Sequence, residues 1–234
     1  MKQLLFSLVI SLAFLFACQP KAEEKQEAKD YVPEITEPMK LDKFETIQLQ
    51  QPNINGGDAL MKVFSNRKTE RDFEDSNLSL KHLSEILWAA YGINRADGNK
   101  KTVPSSLGLY PLQIYAFLSN GIYLYDPESH ELKPVKEGDH RAITGTQDFV
   151  KDASINLIYV ADLKKYEGKK YVELEDRRRI ASLDAGHCTQ NVYLYCASEQ
   201  LKVVERGMVD AEMVMPFLAL DDSYQLIIAQ SIGY

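Results

Sequence analysis

Residues 102–125 read TVPSSLGLYPLQIYAFLSNGIYLY. The second half of this stretch decides the fold. Leu112, Ile114, Ala116 and Leu118 alternate with Gln113, Tyr115, Phe117 and Ser119, and Ile122-Tyr123-Leu124-Tyr125 follows Asn120-Gly121. Alternation with period two is that of a strand, and Asn-Gly between two such runs is the strongest short-range hairpin signal, so an antiparallel sheet is expected. The first half is a break framed by prolines. Pro104 fixes its own φ and biases Val103 to an extended backbone, Ser105 and Ser106 offer hydroxyls and N–H groups, and Gly108 permits a close backbone approach. Such a loop either joins a helix to a strand or grips a ring edge or an anion, and alone it decides neither.

Helical spacing precedes this stretch. Asp58 is a candidate N-cap for a helix carrying Leu60, Met61, Val63 and Phe64, which runs into the basic stretch 67–71. Ser79 caps a second helix with Leu80, Leu83, Ile86, Leu87 and Ala90 at core spacing, stopped by Gly92. Beyond the hairpin, residues 155–160 form a short, β-branched apolar run that reads as a buried strand. The longest regular segment covers about residues 171–200. Ile180, Leu183, Asn191, Leu194 and Leu201 fall near one helical face, while Ala181, Ala185 and Gly186 could admit a neighbouring helix as a dimer or core axis. Val203-Val204 begins a strand, residues 210–220 are helical up to or across Pro216, and residues 226–232 close the chain as a strand. The sum is an α+β domain with a mainly antiparallel sheet.

Near its start the chain carries Lys2 and an apolar run over residues 4–16, too short for the ~20 residues of a bilayer-spanning helix. Leu15-Phe16-Ala17-Cys18 resembles the lipobox of bacterial lipoproteins, so residues 1–17 are expected to be a signal peptide and Cys18 a lipid anchor. Residues 18–56 then form the lipidated cysteine and a charged, proline-bearing tether, with the folded domain over 57–234 and the protein exported to the cell envelope. Without Lys2, 26 of the 27 basic side chains remain against 34 acidic ones, a net of −8. An acidic surface argues against nucleic-acid binding, so any anion must be caught by a local cluster of cations.

The familiar catalytic patterns are missing. There is no G-x-G-x-x-G after a strand and no P-loop. His82, His130, His140 and His187 lack metal-ligand spacing. His187 and Cys188 are helix neighbours pointing about 100° apart, which rules against an activated nucleophile. Cys188 and Cys196, about 12 Å apart on one helix, cannot bridge.

Taken in order, however, several stretches resemble the nitroreductase family. Arg67-Lys68-Thr69-Glu70-Arg71-Asp72-Phe73 is similar to its R-R-S-x-R-x-F signature, followed by Leu87-Trp88-Ala89-Ala90-Tyr91-Gly92 as in the next helix. Thr102-Val103-Pro104-Ser105-Ser106 resembles the (T/A)-x-P-S-A loop, Asp184-Ala185-Gly186 through Gln190-Asn191 the helix motif ending in Q-N, and residues 227–234 the closing strand. The resemblance implies a nitroreductase-like fold, a homodimer and an FMN cofactor that passes hydride from a donor such as NAD(P)H to a small nitro or quinone-like acceptor. Arg67, Lys68, Thr69 and Arg71 would then hold the FMN phosphate. Pro104, Ser105, Ser106 and Gly108 would lie against the ring, in this family usually from the other subunit, and Arg206-Gly207 would bring backbone N–H groups near its reactive edge.

Two departures bear on that implication. The family's loop usually carries Asn where this chain has Gly108, and many relatives continue past the position of Tyr234 to basic residues. Each missing charged hydrogen bond costs about 1.5–3 kcal/mol of cofactor binding. A second reading is therefore a surface lipoprotein that keeps the fold but binds a ligand or serves as a scaffold without turnover. Leu109-Tyr110-Pro111 also resembles the loop of azoline dehydrogenases, a third reading within the same family.

Overall fold

A computed structural model describes residues 31–169 and 172–234. The expected signal peptide, Cys18 and the start of the tether lie outside the described residues. Among those described, no helix is long and apolar enough to cross a membrane.

The hairpin forms as its alternation requires. β4 (Leu112–Leu118) and β5 (Gly121–Asp126) pair antiparallel with Leu118 opposite Gly121, so Ser119 and Asn120 occupy the tip. Gly121 is the first strand residue. A Cβ there would lie 2.4 Å from Phe44 Cε2, so its glycine is a steric necessity. β6 (Glu131–Glu137) adds to β5; it carries Pro134 and four charged residues, which hid it from period-two reading. The two-residue strand β1 (Ile47–Gln48) pairs outside it. On the other flank follow β7 (Ile155–Asp162), β9 (Tyr224–Gly233) and β8 (Lys202–Arg206). The sheet order is β1-β6-β5-β4-β7-β9-β8, with each pairing antiparallel, and β2 (Ile93–Arg95) and β3 (Lys100–Lys101) form a separate two-stranded antiparallel ladder.

Both faces of the central strands are covered. Ile114, Ala116 and Leu118 of β4 and Leu157, Tyr159 and Ala161 of β7 face the larger core. That core lies under α2 (Leu80–Tyr91) and α3 (Leu174–Glu199). Tyr115, Phe117, Ile158 and Val160 face the smaller core under α4 (Ala211–Phe217). Side chains alternate faces along a strand, so one run supplies both cores. Ser79 caps α2, its side chain accepting from His82 N at 3.1 Å, and Gly92 ends it, since a Cβ there would lie 2.3 Å from Trp88 Cδ1. Ahead of α2, α1 (Leu60–Asn66) starts one residue later than Asp58 would cap it: Ala59 is its N-cap, and Asp58 accepts the Ala59 N–H at 2.8 Å.

Two expectations need correction. The tether expected through residue 56 is part of the domain from Tyr31 onward. Met39, Leu41, Phe44 and Ile47 pack on the larger core, Leu49 is buried, and Met39 N donates to Leu78 O at 2.9 Å. These spaced apolar side chains gain a buried place by covering the helices and the sheet edge. The inward face of α3 also differs from the one expected. Leu183 is 57 % exposed, and the buried stripe is Ala181, Asp184, Ala185, Cys188, Val192, Cys196 and Glu199. It includes two carboxylates with dedicated partners, so hydrophobicity could not find it.

Candidate functional site

The basic run begins where α1 ends. Arg67 is its C-cap, its guanidinium 5.4 Å from the centroid of the Tyr193 ring. Lys68 is exposed and paired to Glu70 at 2.9 Å. Thr69 Oγ1 lies 3.0 Å from Tyr193 Oη, which also accepts the Glu205 N–H at 2.8 Å. Glu70 N donates to Val203 O at 3.0 Å. Residues 67–71 are thus laid along α3 and β8 rather than wound as a last helical turn. Arg67 and Arg71 have no ion pair among the described residues. Tyr193 was not anticipated as part of this arrangement, because an aromatic residue on a long helix reads as core.

The proline-serine loop is fastened to α3 elsewhere. Ser105 Oγ donates to Asp184 Oδ2 at 2.6 Å and accepts the Tyr110 N–H at 2.9 Å, while Ser106 N donates to Asp184 Oδ1 at 3.4 Å. Burial raises the Asp184 pKa, and the serine donors only partly oppose it. Leu107, Gly108 and Tyr110 all have positive φ, at 55°, 65° and 47°. Two of these are not glycine, so the loop stores backbone strain that its anchors sustain. Leu107 projects outward at 66 % exposure, and Pro104 and Ser106 are exposed beside it. Ser105 is the pin of the loop, and Ser106 is the serine whose hydroxyl is open. Asn191, of the Q-N motif, donates to Ala89 O at 3.0 Å and ties α3 to the end of α2 just before the loop.

Arg206 turns inward. It is 3 % exposed and donates to Thr144 O at 2.7 Å, Thr144 Oγ1 at 3.3 Å and Asn156 Oδ1 at 3.1 Å. Burial lowers its pKa to about 10. Its side chain therefore braces the 3₁₀ turn Arg141–Thr144, while Gly207, exposed and with open space around its Cα, continues the backbone past the end of β8.

One chain does not bring the two loops together. Asp184 and Tyr193 are nine residues apart on α3, which places them about 13–14 Å apart and about 180° around the helix. Between them the exposed strip of α3 carries Leu183, Gly186, His187 and Gln190. Cys188 and Cys196 are free and buried on the other side, and burial pushes both thiols up.

A seven-stranded antiparallel sheet under α2 and α3, with a cationic loop and a strained serine loop fastened to the same helix, defines the class of α+β protein. The sequence profile of the Nitroreductase family matches residues 64–234, and the chain belongs to that family. It is 35 % identical over 173 residues to a protein of Methanocaldococcus jannaschii provisionally named a nitroreductase, across 70 % of this chain and 85 % of that one. A crystal structure from Ralstonia eutropha JMP134, provisionally named likewise, is 34 % identical with a TM-score of 0.77, covering 88 % of this chain and 96 % of its own. A more distant one from Desulfovibrio desulfuricans, solved in complex with FMN, shares the fold at 19 % identity and a TM-score of 0.53, covering 76 % of this chain and 87 % of that one.

Proposed function

We propose that this protein is an FMN-dependent oxidoreductase that moves hydride from a donor such as NAD(P)H to a small organic acceptor of nitro or quinone type. The observation that carries this reading is the pair Arg67 and Arg71, both without an ion pair among the described residues, flanking a Thr69 hydroxyl positioned by Tyr193. A phosphate dianion is best held by several charge-assisted donors, and this set fits one. When bound, FMN supplies the hydride-accepting and hydride-donating ring. The chain's part is to hold it: Arg67, Arg71, Thr69 and Lys68 take the phosphate, and the backbone at Gly207 and the open face of Pro104, Ser106 and Gly108 meet the ring. Asp184 keeps that face rigid through Ser105 before any ligand arrives, which lowers the ordering cost of binding.

Because the two loops reach opposite sides of α3, we propose that a second copy of the chain, docked on the strip with Leu183 and Gly186, completes each cradle. Residues 1–17 are proposed as an export signal and Cys18 as the lipid anchor; Cys18→Ser should then move the protein from the membrane to the soluble fraction.

The visible spectrum of the purified protein, alone and titrated with FMN, tests the reading. About one flavin per chain is expected. Arg67→Ala should lower flavin retention at least tenfold with unfolding stability within about 0.5 kcal/mol of the parent, as for a surface change. Equal flavin content in both proteins would remove the phosphate assignment. No flavin uptake at all would favour the ligand-binding lipoprotein reading.

A further inference from the structure

Past the serine loop lies a second pocket, of about 380 Å³, lined among others by Leu109, Tyr110, Tyr91, Lys101, Gln113 and Lys165. None of Arg67, Arg71, Ser105, Ser106 or Gly108 lines it. Lys101 sits on the short strand Lys100–Lys101, which pairs with Ile93–Arg95, and is 8 % exposed. Its ammonium lies 4.4 Å from the ring centroid of Tyr91 and 5.7 Å from that of Tyr110. Among the described residues it has neither a hydrogen bond nor an ion pair. An ammonium carries three donors, and burying one without acceptors is unfavourable unless a partner arrives, since ring faces compensate only in part.

Among the described residues, no carboxylate fills that place. Asp126 is engaged by Lys133 and by the Glu128 N–H, and Glu128 is exposed. A second ammonium, Lys165, is held at the same loop by donating to Tyr110 O at 3.0 Å. Three ammonium groups thus face two carboxylates around a space walled by tyrosines and leucines, of a size at the lower end of pockets that hold small organic ligands.

We propose that this pocket binds a small aromatic carboxylate, the carboxylate serving as counter-ion to Lys101 and Lys165 and the ring lying among Tyr91, Tyr110 and Leu109. The site is separate from the flavin reading and stands or falls without it. Burial, seconded by the charge of Lys165, brings the Lys101 pKa down to about 8, while Glu128, Asp126 and Cys188 act in the other direction. Of these, Cys188 stays a thiol because burial pushes it up, and the phenol of Tyr91, buried and accepting from Leu112 N, is likewise pushed up. Binding needs the charged ammonium, so affinity should be level below about pH 7 and fall as pH rises through 8, by up to about tenfold per pH unit.

The test is a calorimetric titration of the purified full-length protein with benzoate, with benzyl alcohol as the neutral control. Saturable binding of benzoate below about 10 mM at pH 7 is expected, at least about tenfold weaker for benzyl alcohol, for Lys101→Met and for the wild type at pH 9.5. The flavin band of Lys101→Met should equal that of the wild type, which separates this site from the flavin cradle. Absence of saturable benzoate binding, equal affinity for benzyl alcohol, unchanged affinity in Lys101→Met, or the same affinity at pH 7 and 9.5 would each overturn the assignment. If Lys101→Met fails to fold by circular dichroism, the wild-type pH series and the benzyl alcohol control decide.

Discussion

Two buried carboxylates on α3, Asp184 near its middle and Glu199 at its end, are held in opposite ways. Asp184 meets the hydroxyl of Ser105 and the N–H of Ser106, both neutral donors, and burial leaves its pKa above the ordinary carboxylate value. Glu199 accepts from Tyr31 Oη at 2.6 Å and Lys81 Nζ at 3.4 Å and faces His82 Nε2 at 3.8 Å. Burial would raise it too, but His82, Tyr31 and Lys81 together outweigh burial and hold it at about 2. The helix therefore fastens a strained loop by geometry at one place and the segment that starts at Tyr31 by charge at another. The first kind of anchor shapes the backbone of a loop through neutral donors. The second serves stability.

Acid should separate the two most strongly. The folded-state pKa of Glu199 is depressed below its unfolded value of 4.5, so its contribution is present above pH 4.5 and is lost as pH falls through about 2. About 3 kcal/mol is at stake by linkage. Urea unfolding of the wild type and Glu199→Gln at pH 7 and pH 3 checks this: the variant should be less stable at pH 7 and should lose less on acidification, whereas parallel losses would show that Glu199 carries no pH dependence.

The Asp184 anchor should respond with the reverse sign. Its raised folded-state pKa means that stability falls as pH rises from 3.8 through the folded value, so the charge itself contributes nothing favourable at pH 7. Asp184→Asn, which keeps an acceptor for Ser105, should cost under about 1 kcal/mol. Asp184→Ala, which leaves the Ser105 hydroxyl and the Ser106 N–H without their acceptor, should cost about 1–3 kcal/mol. The alanine variant should also open the loop after Pro104 to limited proteolysis. Equal cost for both substitutions would mean that charge, not geometry, holds the loop.

The exposed strip with Leu183 faces away from both anchors, and here the smallest effect on the single chain is expected. Leu183→Glu should leave unfolding of the monomer within about 0.5 kcal/mol, since the side chain is 57 % exposed. Sedimentation should nevertheless show a shift from dimer to monomer. An unchanged oligomeric state would place the proposed interface elsewhere.

What could be read ahead of the structure follows a physical line. The hairpin at residues 112–126 and the capped helix from Ser79 to Gly92 were legible because local periodicity and a local cap specify them. β6 was not, because its side chains are mostly solvated and its place comes from pairing with β5. The proline-serine loop and the basic run stood out by residue type. Tyr193, which positions Thr69, and Asp184, which pins Ser105, did not declare these roles, because each acts through a contact more than seventy residues away.

By itself the sequence determined that this is an α+β domain with an antiparallel sheet and the ordered motifs of the nitroreductase family, since periodicity, caps and turn residues act over a few neighbours. Only the tertiary structure decided which face of α3 is buried, that residues from Tyr31 onward belong to the domain, and that Lys101 is enclosed by rings without a counter-ion among the described residues. Those outcomes depend on which distant groups can satisfy a buried charge or cover an apolar side chain, and that is settled by packing in three dimensions.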